Sequence, residues 1–235
     1  MRILALDTAL LACSAAFWVD GVVIAKRFAP MERGHAEQLL PMVETVRREA
    51  GQTYKDLDFL AVTVGPGTFT GVRIGLAAAR GLALAAARPL IGVTTLAAVT
   101  EGARSEARDG EPILAALDAR RGEVYAQAFD PHGVPLTDPA AIATDEILSV
   151  VPGATGLAVG TGVPLIWRTL SEHHRGWRVA ETLGQPDAVW VAELAARYIA
   201  AGETFIIGQP PAPLYLRSPG ARLPGTHRAL PKQTV

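Results

Sequence analysis

The sequence predicts a two-lobed α/β fold, and three observations carry that reading. The apolar run Ile3-Leu4-Ala5-Leu6 ends in Asp7, and Ile113-Leu114-Ala115-Ala116-Leu117 ends in Asp118, each followed by a hairpin signal. A glycine-rich loop, Gly65-Pro66-Gly67-Thr68-Phe69-Thr70-Gly71, joins the β-branched run 59–64 to a stretch of helical length, 72–87. A third apolar run, 157–159, enters the turn Gly160-Thr161-Gly162. Short apolar runs bounded by turn signals read as buried strands, and strands alternating with helices read as parallel-sheet units. The two halves therefore restart one programme, visible as pattern rather than as identity.

Taken in order, residues 2–8 form a central strand that closes on a carboxylate and a hydroxyl. Strands over 13–19 and 22–28 follow, joined by Asp20-Gly21, a two-residue hairpin signal of the type I′ kind. From His35 the apolar residues Leu39, Leu40, Met42, Val43 and Val46 recur at helical spacing. Pro41 is tolerated only in the first turns, so the helix is expected either to start near Leu39 or to carry a kink. Its apolar stripe is broad, which calls for two packing partners, inside the chain or outside it. The helix after the glycine loop is small-sided through Gly71, Gly75, Ala78, Ala79, Gly81, Ala83 and Ala86. Interior glycines cost about 1 kcal/mol each relative to alanine, so close approach of the sheet or of another chain must offset them. The loop before it can hold an anion or seat another chain, with Gly65 and Gly67 admitting close approach and Thr68 and Thr70 offering hydroxyls. A short strand over 89–93 then leads to a helix over 96–104 that Thr94 or Thr95 can cap.

The polar run 105–111 marks the lobe boundary, giving a first lobe over 1–106 and a second, reduced lobe over 107–217. In the second, strands over 113–118 and 123–129 turn through Ala119-Arg120-Arg121-Gly122, and Pro164 opens a helix over 165–172. An amphipathic helix over 187–201 is expected to pack back on the first lobe. Residues 218–235 read as a flexible tail with three Lys/Arg and no acidic group.

With 235 residues the chain can bury a substantial core without metal or disulfide staples. Its single cysteine, Cys13, excludes an intramolecular disulfide, fits a reducing compartment and reads as a small core residue. Asp7 interrupts the apolar N-terminus before it reaches signal-peptide character, and no stretch reaches the uninterrupted apolar length of a spanning helix. A cytoplasmic protein with no membrane partner is the expectation. The net charge of −1 carries no polyanion-binding signature, so any nucleic-acid contact is expected to be shared with a partner or confined to Arg222, Arg228 and Lys232.

Metal and nucleophile chemistry find little support. His35, His132, His173, His174 and His227 form no i, i+4 pair, Cys13 has no dyad, and no G-x-S-x-G elbow occurs. Asp7, Asp118 and Gly160-x-Gly162 resemble instead the two-lobed actin-like, sugar-kinase and heat-shock ATPase (ASKHA) plan, where hairpins hold phosphates and magnesium between the lobes. They are weak candidates for a nucleotide site, since strand-end aspartates also serve as caps and turns. A small kinase or ATPase is the alternative they leave open.

Five blocks go further: Leu4-Ala5-Leu6-Asp7-Thr8, Gly34-His35-Ala36-Glu37-Gln38-Leu39-Leu40-Pro41, Gly65 to Gly75, Asp118-Ala119-Arg120-Arg121-Gly122-Glu123-Val124-Tyr125 and Pro213-Leu214-Tyr215-Leu216-Arg217. Together they resemble the TsaB (YeaZ) family, bacterial partners in making threonylcarbamoyladenosine (t6A) in tRNA, over nearly the whole chain to Arg217. The resemblance implies a scaffold without catalysis or cofactor that pairs with the catalytic paralogue TsaD and is joined by the ATPase TsaE. It also implies homodimers when the chain is alone and tRNA contact only through the complex. The paralogue holds a metal through an H-x-x-x-H pair whose positions here carry Thr95 and Val99. The expected partner interface is His35, Leu39, Met42, Val46, Val72, Arg73, Leu76 and Arg80, with Arg73 either facing the partner or anchoring the loop through backbone carbonyls. On that reading Leu39→Asp or Leu76→Asp abolishes pairing and leaves the monomer folded.

Overall fold

The computed structural model describes residues 1–182 and 184–217. Two five-stranded sheets form its framework. The first is built from β1 (Arg2–Asp7), β2 (Ala12–Val19), β3 (Val22–Pro30), β4 (Phe59–Gly65) and β5 (Leu90–Thr94) in the order β3-β2-β1-β4-β5. The second is built from β6 (Ile113–Arg120), β7 (Glu123–Phe129), β8 (Ala140–Ala143), β9 (Thr155–Val159) and β10 (Gly176–Val179) in the order β10-β9-β6-β7-β8. In each, the lead strand pairs antiparallel with a hairpin partner on one side and parallel on the other. Both sheets thus have one topology, and the chain has the two-lobed ASKHA fold.

The helices follow the same plan unequally. α1 (His35–Glu49) and α2 (Phe69–Ala86) cover the first sheet, with α3 (Thr95–Ala103) closing the lobe. In the second lobe a 3-10 segment, Thr144–Val150, stands where α1 stands, followed by the shorter α4 (Val163–His173) and by α5 (Ala188–Ala200).

Period-two alternation in a strand sends successive side chains to opposite faces, and β1 uses both. Leu4 and Leu6 enter the core shared with Leu39, Val43, Val46, Val72 and Leu76 of α1 and α2. Ile3 and Ala5 enter the core shared with Val191, Ala192 and Ala195 of α5. α5 therefore lies on the sheet of the first lobe, its start fixed by the Asp187 cap and by Ala188 N–H donating to Ser14 Oγ at 2.8 Å. In return, Leu10 of the first lobe and Leu96, Val99 and Ala103 of α3 pack with Ile113, Leu117 and Phe129 of the second. The lobes are interlocked by exchanged apolar surface.

Local chemistry accounts for the boundaries. Asp20 and Gly21 both have positive φ, as a type I′ turn requires. Thr68 caps α2 and Thr94 caps α3, each accepting from the N–H three residues on. α1 starts at His35 rather than near Leu39, and Pro41 sits inside it. The ring forfeits one backbone bond there, while Thr45 Oγ1 donates to the Pro41 carbonyl at 2.9 Å. α2 corrects a second expectation. It is long and apolar enough, by length and composition, to cross a membrane, although six of its residues are buried against the chain's own core. Cys13 is buried, which pushes its thiol up to about 12. The basic tail 218–235 lies outside the described residues.

Candidate functional site

The glycine loop seats the chain's own backbone. A Cβ on Gly67 would lie 2.5 Å from the Ala9 carbonyl oxygen, on Gly71 2.2 Å from that of Thr8, and on Gly75 2.7 Å from Thr8 Oγ1. These glycines admit the Thr8-Ala9 turn onto the first turns of α2. Thr68 N–H donates to the Ala9 carbonyl at 2.8 Å, and Thr8 Oγ1 donates to the Gly71 carbonyl at 2.8 Å. The helix start that could receive an anion is occupied by carbonyls and a threonine cap.

The ASKHA-type candidates separate. Asp118 lines a cleft of about 220 Å³ between the lobes, with Leu10, Leu11, Thr68, Arg120, Tyr125 and Thr161. It pairs with Arg120 at 3.2 Å. Asp7 is fully buried and does not line that cleft. Its Oδ1 accepts from Thr63 Oγ1 at 2.6 Å and Ala9 N–H at 3.1 Å, while Oδ2 has no partner. Burial pushes the Asp7 carboxyl up to about 7, the charged form losing water it cannot replace, and the nearby Asp187 adds to the rise. Gly160 and Gly162 face the backbone of β6, where a Cβ on Gly160 would meet the Ala116 carbonyl oxygen at 2.2 Å. They serve the packing of the strand-to-helix turn. Metal chemistry fits no better at Thr95 and Val99, the positions that the family resemblance matched to histidines. Thr95 and Val99 are both buried, and neither a hydroxyl nor an isopropyl group replaces an imidazole at such a centre. Among the described residues, no group of three or more His, Cys, Asp or Glu is placed to hold a metal.

The outer face of α2 is different. Its inner residues Val72, Leu76, Ala79 and Ala83 enter the core, and its outer ones carry Phe69, Arg73, Ala77, Arg80, Gly81 and Leu84. Leu84 is 81% exposed and Phe69 59%, and a Cβ on Gly81 would meet nothing within 4 Å. α1 presents exposed Leu40, at 51%, and Glu37, which shares a groove with Thr70 and Ile74 of α2. The Arg73 guanidinium stacks over Phe69 at 3.5 Å from the ring centroid, and its Nε donates to Tyr215 Oη at 2.9 Å. Arg80 donates to the Pro211 carbonyl at 2.6 Å. An apolar, small-sided, cation-bearing surface of this kind suits another protein rather than a small substrate.

The expected interface is corrected in part. His35, Leu39, Val46, Val72 and Leu76 are buried within this chain, with His35 Nε2 in contact with the Leu10 carbonyl oxygen at 3.1 Å. Leu39, Val46, Val72 and Leu76 belong to the core under the sheet of the first lobe. Met42 is half-buried, and Arg73 and Arg80 are exposed on the outer face. Arg73 reaches a side-chain hydroxyl and an aromatic ring, not the loop carbonyls. Phe69, Leu84 and Leu40 were absent from the expected set. Phe69 and Leu84 each stand four residues from an exposed arginine, but so does the buried Leu76, so helical spacing alone does not single them out.

Comparison with known proteins places this geometry. The family model of tRNA N6-adenosine threonylcarbamoyltransferase, TsaD, matches residues 27–165, more than half of the chain. The tRNA threonylcarbamoyladenosine biosynthesis protein TsaB of Escherichia coli (strain K12) is 47% identical over 136 residues, 57% of this chain and 58% of that protein, so the match spans under two thirds of that relative. TsaB of Haemophilus influenzae is 29% identical over 206 residues, 83% of this chain and 85% of that one. The solved structure of YeaZ from Pseudomonas aeruginosa superimposes with a TM-score of 0.80 at 32% identity, covering 92% of this chain and 99% of its own. Matched almost end to end by that structure, the chain belongs to the TsaB (YeaZ) family.

Proposed function

We propose that this protein is a non-catalytic scaffold subunit in t6A formation on tRNA, acting in the cytoplasm. It pairs through the outer face of α2, with the adjoining edge of α1, to a TsaD-like catalytic paralogue. A TsaE-like ATPase joins the pair, and the complex transfers a threonylcarbamoyl group to N6 of the adenosine beside the anticodon. A second copy of this chain takes the same face when the paralogue is absent, and tRNA is met only through the complex.

The observation that carries this reading is the outer face of α2, where exposed Phe69 and Leu84 stand toward either end with Arg73, Arg80 and the bare Gly81 between them. Burying Leu84 and Phe69 against a partner would recover roughly 1.5–3 kcal/mol for each side chain fully covered. The absence of acidic residues from α2 favours a partner with carboxylates opposite Arg73 and Arg80. Support for the non-catalytic part comes from Asp7, buried away from the cleft, and from Thr95 and Val99. The names of the relatives support the pathway.

The test is reconstitution. The paralogue of the same organism, its ATPase partner and tRNA are assayed for threonylcarbamoyl transfer with and without this chain, and the chain is assayed alone with Mg-ATP. Transfer that depends on the chain, with no turnover by the chain alone, is the expected result. Transfer at full rate without it, or nucleotide turnover by it alone, contradicts the proposal.

A further inference from the structure

Residues 205–217, beyond the end of α5, turn at Ile206–Gln209 and run back over the first lobe as a strap, and three of the sequence blocks singled out above meet along it. Leu214 N–H donates to the Val64 carbonyl at 2.8 Å, beside Gly65, where a Cβ would come within 2.9 Å of the Leu214 carbonyl oxygen. Upstream, Pro211 lies against Gly92, where a Cβ would sit 2.7 Å from the proline ring. Gly65 leaves room for the strap's backbone and Gly92 for its proline ring. Downstream, Tyr215 stacks on Phe69 at 5.8 Å between centroids, and Arg217 forms an ion pair with Glu123 and reaches the Arg120 carbonyl at 3.4 Å. Glu123 and Arg120 belong to the β6–β7 hairpin of the second lobe, so the strap spans both lobes.

We infer that the strap is a positioning element for the partner face, and that Tyr215 and Arg217 are its positioning residues. This rests on the reading of α2 as that face. Its two outward cations are each held by the strap, Arg73 by the Tyr215 hydroxyl and Arg80 by the Pro211 carbonyl. A long arginine left free loses rotamer entropy when a partner fixes it, and prior fixing by the strap removes that cost. The Arg217–Glu123 pair then ties the same segment to the hairpin. The orientation of the second lobe and the readiness of α2 to bind thus become one coupled equilibrium.

The test compares four variants for affinity to the TsaD-like paralogue by calorimetry. These are Tyr215→Phe, Arg217→Ala, the swapped pair Arg217→Glu with Glu123→Arg, and Leu84→Asp on the face itself. Tyr215→Phe and Arg217→Ala are expected to weaken pairing about threefold and about tenfold, and the swapped pair to return within about twofold of the parent. A readout without the partner uses spin labels at Ala85 and Arg121, whose distance distribution broadens in Arg217→Ala. Loss of pairing in Leu84→Asp alone, with the strap variants and the label distance unchanged, overturns the strap's role and leaves the α2 reading standing. Pairing unaffected by Leu84→Asp overturns the α2 reading, and the strap inference with it.

Discussion

The two lobes repeat one strand order and diverge in what lies on the sheets. α2 and α4 both connect the fourth and fifth strands of their lobe, yet α2 has eighteen residues and α4 eleven. The outward side of α4 carries Arg168, Glu172 and His173 among its exposed residues, a solvated surface with one exposed leucine, Leu165. That of α2 carries exposed Phe69 and Leu84, small residues and two arginines. The strand-end aspartates diverge as well: Asp7 is buried with an unpartnered oxygen, and Asp118 is part-exposed and paired with Arg120. The buried strands keep one topology in both lobes, and the two differ where a helix lengthens and turns apolar outward.

The largest expected effect breaks the first lobe outright. Leu39→Asp puts an unpaired carboxylate into the core under α1 and costs about 5 kcal/mol, so thermal melting detects unfolding rather than a clean loss of pairing.

Asp7 sharpens the contrast between the aspartates. Its folded-state carboxyl near 7 lies above the ordinary value of 3.8, so the folded protein holds a proton the unfolded chain releases. The stability this contributes is full below about pH 4 and is lost as pH rises through about 7. Asp7→Asn, which cannot ionise, therefore gains on the parent by up to about 4 kcal/mol between pH 4 and pH 8, read as a pH-dependent difference in melting temperature. Asp118→Asn, which removes the ion pair with Arg120 and keeps an oxygen for the Arg120 N–H that Oδ1 accepts at 2.7 Å, changes stability by less than about 1 kcal/mol at pH 7.

Two glycines then separate the faces of α2. Gly71→Ala forces a methyl into the Thr8 carbonyl and is expected to cost about 3 kcal/mol in a denaturant titration. Gly81→Ala meets open space and stabilises by about 1 kcal/mol through helix propensity, opposite in sign to Gly71→Ala.

Much of the fold was legible because the determining residues have one physical meaning. Apolar runs ending in Asp7 and Asp118, the Asp20-Gly21 turn and the threonine caps each allow few conformations. β8 and β10 escaped because Ala140–Ala143 and Gly176–Val179 are four-residue strands with little β-branched character, held by neighbours distant in sequence. The partner face was half legible. Apolar residues at helical spacing satisfy a core and an interface equally, so Leu39, Val46, Val72 and Leu76 looked suited to either, and only packing on β1 and β4 decides for the core. Arg73 and Arg80 could not be buried unpaired, and they lie on the exposed side of α2. The strap's role depends on Tyr215 and Arg217 meeting Arg73 and Glu123, contacts across 142 and 94 residues that no local pattern encodes.

The central claim is that the outer side of α2, and not its counterpart in the second lobe, binds the catalytic paralogue. Sedimentation of the parent chain, Leu84→Asp and Leu165→Asp, each mixed with the TsaD-like paralogue of the same organism, tests it directly. A heteromeric species with the parent and Leu165→Asp but not with Leu84→Asp, all three melting within a few degrees of one another, is the predicted result. A complex that survives Leu84→Asp, or is lost in Leu165→Asp alone, would contradict the account.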